Sequence, residues 1–86
     1  MVHLLPLRGM ERHLVGIHIP PDAGVVGKPL ELVDLPADTL ISLLVNAAGE
    51  ARLPTGGEKL QANDDVVAVT TPSSEKELLE ILTRVA

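Results

Sequence analysis

The chain has 86 residues, a mass of 9.1 kDa and a formal charge of −5, which leaves room for one domain burying only about 60–65% of its unfolded surface. It contains no Cys, Phe, Tyr or Trp, which excludes disulfides, thiolate nucleophiles and thiolate zinc sites and removes the platforms on which nucleic-acid bases stack. The acidic balance opposes a general attraction to polyanions, so nucleic acid is not an expected partner.

The core must be assembled from 15 Leu, 10 Val and 4 Ile. Apolar burial contributes roughly 25 cal/mol per Å², so a chain this short gains more from a shared interface than a domain of twice its length. A homodimer is expected. The longest apolar stretches, such as Leu40-Ile41-Ser42-Leu43-Leu44-Val45, fall far short of the roughly 20 residues that cross a bilayer. Met1 to Leu7 lacks the basic start of a signal peptide. A soluble chain in a reducing cytoplasm is expected.

Residues 1–13 carry Pro6, Gly9 and no sustained period, the pattern of a linker or disordered lead-in. His13 to Ile19 then predicts a strand whose Val15, Ile17 and Ile19 share one face, closed by Pro20-Pro21. Lys28 to Val33 is long enough for one or two helical turns, with Pro29 near the start. Thr39 to Asn46 is the clearest strand, with Thr39, Ile41, Leu43 and Val45 on one face and Leu40, Ser42, Leu44 and Asn46 on the other. Ala47-Ala48-Gly49 predicts a three-residue hairpin connection, and Glu50 to Leu53 the returning arm, ended by Pro54. Thr55-Gly56-Gly57 makes a second turn, Leu60 plugs the core, and Val66 to Thr71 reads as a buried central strand. Ser74 and Glu77 have capping-box spacing for a final helix, whose Leu78, Leu82 and Val85 form an apolar stripe widened by Leu79 and Ile81. The fold class is α+β, in the order βαβββα, with a mixed or antiparallel sheet and the C-terminal helix packed on it.

None of this adds up to a catalytic constellation. Gly24 to Pro29 fails as a phosphate loop, because that motif needs Gly at Asp22 and Ser or Thr at Pro29. His13 and His18 lie on opposite faces of one strand and do not chelate together, and Asp64-Asp65 beside Asn63 reads as a turn rather than a hard-cation site. Thr55-Gly56-Gly57 reads likewise as a turn before an anion-binding nest. No metal site, cofactor or enzymatic activity is expected. The polar residues of interest are Asn46 and Arg52, on the two arms of the hairpin near Pro54, where a dimer mate could close a pocket.

The ordered set Val25-Val26-Gly27-Lys28-Pro29-Leu30 through Asp34-Leu35-Pro36, then Leu40-Ile41, Gly49-Glu50, Pro54-Thr55-Gly56 and Leu60 to Val66, resembles the TrkA-C (RCK-C) domain family over roughly residues 14–83. The resemblance implies that residues 14–86 form a cytoplasmic regulatory module of a membrane potassium channel, uptake system or cation–proton antiporter, held at the inner face of the membrane through that partner. It implies a dimer whose shared cleft receives a small nucleotide effector, which in some members is cyclic di-AMP. Carried onto this chain, the ligand-binding residues are Leu43, Leu44, Asn46, Arg52 and Pro54; Asn46 stands where many relatives have Arg or Lys, and Arg52 is its replacement as a phosphate partner. The alternative reading is a purely structural dimerisation module of a transport complex, without a ligand.

Overall fold

Turn residues divide the apolar runs into strands short enough to form one small sheet. The computed structural model describes residues 1–7 and 11–86. In chain order these form β1 (Val2–Leu7), β2 (Arg12–His18), a 3-10 turn (Leu30–Leu32), β3 (Leu40–Val45), β4 (Ala51–Arg52), β5 (Asp65–Thr70) and α1 (Glu75–Thr83). The five strands lie in the order β1-β2-β5-β3-β4, and every neighbouring pair is antiparallel. The α+β architecture with a C-terminal helix on the sheet is as the sequence implies, and β5 takes the central position that its unbroken apolar run predicts.

Residues 2–7 differ from the expected lead-in segment, because they form the edge strand of the sheet. Their pairing runs Val2↔Gly16 and His3↔Val15, then shifts to Leu5↔Leu14 across a bulge at Leu4. The bulge breaks the two-residue period by which a strand is recognised, and an edge strand requires pairing on one side only. Residues 8–10 of that segment lie outside the described residues. The expected helical turns at residues 28–33 contract to the single 3-10 turn Leu30–Leu32, since Pro29 and Pro36 leave little chain between them for more.

A second bulge reorders β3. Its register against β5 passes from Ile41↔Ala68 to Leu43↔Val67 and Leu44↔Val66. Val66 and Ala68 are fully buried, so Ile41 and Leu44 face the core while Leu40 and Leu43 face away. Strict alternation put Ile41 with Leu43; one extra residue at Ser42 exchanges the phase.

The covered face of the sheet carries Val15, Ile17, Leu44, Val66 and Ala68, joined by Ile19, Ala23, Val25, Leu30, Val33 and Leu60 from the loops and by Leu78 and Leu82 from α1. Leu60 is fully buried and its backbone is bonded to Gly27 and Lys28 (2.7 and 3.0 Å), which ties the loop after β2 to the loop before β5. Val85, expected on the helix stripe, is 65% exposed. The helix stops at Thr83, and Val85 pairs instead with Ala23 in an isolated bridge.

Ser74 is the N-cap residue of α1, but its side chain makes no capping bond to the helix. Its hydroxyl donates to Asp38 Oδ1 (2.6 Å), and Thr71 Oγ1 donates to Asp38 Oδ2 (2.6 Å). Ser74 has helical backbone angles (φ −101°, ψ −8°) rather than the extended ones from which a cap oxygen accepts from the first N–H groups of a helix, and its hydroxyl turns to Asp38, so the capping box does not close. The Ser74 and then the Thr71 hydrogen bonds hold the Asp38 carboxyl below its ordinary value of 3.8. Because the folded value is the lower one, the stabilisation is complete above the unfolded value and is lost as pH falls from about 3.8 through the folded value. Asp38→Asn is therefore expected to flatten this part of the acid-denaturation curve, read by far-UV circular dichroism between neutral pH and the acid limb.

Candidate functional site

The hairpin that carries the expected ligand residues is built tightly. Gly49 adopts φ +84°, a conformation that costs Gly little, and closes the loop through Gly49 N–H to the Asn46 carbonyl (2.9 Å). Asn46 Oδ1 accepts from the N–H groups of Ala48 and Glu50 (3.0 and 2.9 Å), while its amide donates to Glu50 Oε1 (3.2 Å). Asn46 thus organises the turn.

Arg52 stands opposite Leu44 in the β3–β4 ladder. Its Nε donates to Glu58 Oε1 (2.7 Å), its Nη1 and Nη2 to the two oxygens of Asp64 (3.3 and 2.8 Å), and Nη2 also to the Lys59 carbonyl (3.2 Å). Asp64 is fully buried and also accepts from Gln61 N–H (2.9 Å). These contacts occupy the fork of Arg52 inside its own chain; the Asp64 hydrogen bond is the largest influence and raises the guanidinium's already high pKa. Leu44 is fully buried in the core, Leu43 is half-buried on the other face, and Pro54 is half-buried beyond β4. The five residues share one hairpin but point in different directions.

Two concavities stand out among the described residues. One of about 530 Å³ lies between the loop after β2 and α1, lined by Lys28, Asp34, Glu77, Glu80 and Arg84 among apolar neighbours. The other, about 380 Å³, lies on the open face of the sheet and is lined by Met1, Val2, Leu4, Gly16, His18, Asp65 and Val67. Neither is lined by any of the five hairpin residues.

The second concavity belongs to a larger apolar surface. Among the described residues no helix covers the face of the sheet opposite α1, and there Val2, Leu4, Leu5 and Leu40 are 50–68% exposed, with half-buried Leu14, Leu43, Val67 and Val69 between them. A Cβ at Gly16 would meet Leu4 Cδ1 at 3.7 Å, so the edge strand's bulged leucine lies over the middle of β2. Sequence reasoning missed this surface because three of its residues stand in the segment without a period.

His18 and Asp64, whose convergence would have pointed to catalysis, do not meet. His18 Nδ1 lies 3.0 Å from Asp65 Oδ1 and its Nε2 3.3 Å from Asn63 Oδ1, on the open side, while Asp64 turns inward to Arg52.

His13 instead meets two residues remote in sequence. His13 Nδ1 lies 2.8 Å from Glu75 Oε1, and His3 Nε2 lies 2.9 Å from Glu75 Oε2. Burial opposes ionisation of Glu75, but the two imidazole hydrogen bonds outweigh it and hold its carboxyl below the ordinary range. The pairings His3↔Val15 and His13↔Thr70 put both rings on the covered side of the sheet. His13 was legible as lying on that side; His3 was not, because β1 was not.

The sequence matches the TrkA-C domain over residues 14–83. It is also 29% identical over 79 residues to the Trk system potassium uptake protein TrkA homolog of Pyrococcus horikoshii, an alignment that covers 92% of this chain and 34% of that protein. The chain spans about a third of the length of this relative. With the antiparallel sheet, its C-terminal helix and a match over most of the chain, this protein belongs to the TrkA-C domain family.

Proposed function

We propose that the chain is a non-enzymatic regulatory domain of potassium or other cation transport, acting as a homodimer that responds to a small effector. The observation that carries this reading is the TrkA-C match over residues 14–83; the name of the Pyrococcus relative points the same way. Among the described residues, no helix is long and apolar enough to cross a membrane, so the transporter or channel is a separate membrane partner or another part of a larger protein. The proposed location is the cytoplasm, at the inner face of the membrane.

The open face of the sheet supports the dimer. Its four longer strands, of six or seven residues, spaced about 4.8 Å apart and rising about 3.3 Å per residue, span roughly 19 by 20 Å. A second copy offers the same apolar patch, so a two-fold pairing is self-complementary. An effector that binds one dimer geometry more tightly than another would bias the attached gate by that difference in affinity.

Within this arrangement Leu43, Asn46 and Pro54 are the residues available to an effector such as cyclic di-AMP. Leu44 and Arg52 hold the hairpin in place. The engagement of Arg52 by Glu58 and Asp64 within its own chain favours a second reading, a structural dimerisation module in which no ligand binds.

Light scattering on the purified chain should give twice the monomer mass of 9.1 kDa. Leu40→Asp, at a position 68% exposed in the single chain, is expected to weaken the dimer by about 30-fold or more, the equivalent of about 2 kcal/mol, without loss of helix signal. Calorimetric titration with cyclic di-AMP then separates the two readings: saturable binding at one ligand per dimer supports sensing, and a dimer without binding supports the structural module. A monomer at all concentrations would remove both.

A further inference from the structure

We propose that His3, His13 and Glu75 form a binding site for a divalent transition-metal ion of the zinc type. The inference is independent of the regulatory reading above. Two imidazoles and one carboxylate converge from β1, β2 and the first turn of α1, with donor atoms that all lie within 4.8 Å of one another. The rings are mutually edge-on, with centroids 5.4 Å apart and planes at 86°. His13 Nδ1 and His3 Nε2 each face one oxygen of the same carboxylate, at 2.8 and 2.9 Å, so both nitrogens can reach one ion placed beside it.

The donor set decides the class of ion. Imidazole nitrogen with a single carboxylate suits zinc and its first-row neighbours, whereas calcium and magnesium require several oxygens. Two His and one Glu as three protein ligands, with a fourth position for water, is a known zinc arrangement. Adjacent donors around tetrahedral zinc are about 3.3 Å apart, given bonds of about 2.0–2.1 Å. The present nitrogen–oxygen separations of 2.9 and 2.8 Å would open by a few tenths of an ångström to admit the ion.

The protons can be accounted for. An ionised carboxylate only accepts, so His3 Nε2 and His13 Nδ1 carry the hydrogens now shared with Glu75. Binding the ion requires those two nitrogens as lone-pair donors, so each hydrogen moves to the other ring nitrogen or leaves to water, and the ion replaces both in bridging the rings to the carboxylate. The site is reached from solvent at its histidines: the His3 and His13 side chains are 54% and 35% exposed, while that of Glu75 is 15% exposed. Placement of the three ligands at residues 3, 13 and 75 means that an ion fastens the edge strand and its neighbour to the start of the helix.

The test is calorimetric titration of the tag-free chain with zinc chloride, repeated on His3→Gln, His13→Gln, Glu75→Gln and, as a comparison, His18→Gln. Cobalt(II) provides a second readout through its visible absorption in a tetrahedral nitrogen–oxygen site. The expected result is one saturable zinc per chain, reversed by chelator, with affinity reduced at least about 10-fold in each of the first three variants and unchanged in His18→Gln. Circular dichroism checks that each variant folds; if Glu75→Gln does not, His3→Gln on the exposed edge carries the result. Absence of saturable binding in the native chain at millimolar zinc would overturn the site. So would a loss confined to His18→Gln, or equal affinity in the native chain and His3→Gln.

Discussion

Arg52→Ala should destabilise the chain by about 3–5 kcal/mol, enough to remove most of a total stability of the order of 5 kcal/mol. The cost comes less from the bonds lost than from the charge left behind. Asp64 has no exposed surface, and without the guanidinium its remaining partner is the N–H of Gln61, which cannot replace solvation of a carboxylate. Urea denaturation followed by circular dichroism should show the loss as a fall in midpoint with little change in slope. The double variant Arg52→Met, Asp64→Leu removes both charges together and is expected to recover a substantial part of that stability, because the two single effects share one cause. A double variant as unstable as the sum of the singles would mean that the pair is not coupled. Cyclic di-AMP titrations of Arg52→Ala would therefore mix lost stability with lost contact.

The second large effect separates two leucines of one strand. Leu44→Ala is expected to cost about 2–5 kcal/mol, since the side chain is fully buried and its loss leaves a cavity. Leu40→Ala should change monomer stability by no more than about 0.5 kcal/mol, because the residue is 68% exposed on the other face. Strict alternation puts both leucines on one face and predicts similar costs if that face is the core. The bulge at Ser42 makes them differ, and thermal melts of the two variants at low protein concentration measure the difference. Raising the concentration should increase the effect of Leu40→Ala if a second copy covers it.

What could be read from the residues followed the length of their pattern. Val15, Ile17 and Ile19, the three-residue hairpin connection with Gly49, buried Leu60 and central β5 were all legible, because period, turn chemistry and apolar runs each leave a local mark. The two bulges were not, since a single inserted residue has no composition signal, and they decide which leucines face the core and whether residues 2–7 look like a strand. Ser74 was placed correctly as a cap position but its hydroxyl was lost to Asp38, 36 residues away. The same limit governs the candidate sites: Asn46 and Arg52 stood out as polar residues on a hairpin, yet Arg52's partners Glu58 and Asp64 and His13's partner Glu75 are fixed by tertiary pairing that spacing does not encode.

The two ends of the sheet bear on what kind of assembly the chain can form. β1 includes Pro6, and β4 is only two residues long and is followed within two positions by Pro54. Proline supplies no N–H to a neighbouring strand, and a two-residue strand offers little backbone to pair with. Lateral growth, in which each added copy exposes a fresh edge, is therefore blunted on both sides. Stacking through the open apolar face, as in the dimer proposed above, would use the same patch on both molecules and leave none over. Crowding this protein should yield pairs that stop growing, not fibres.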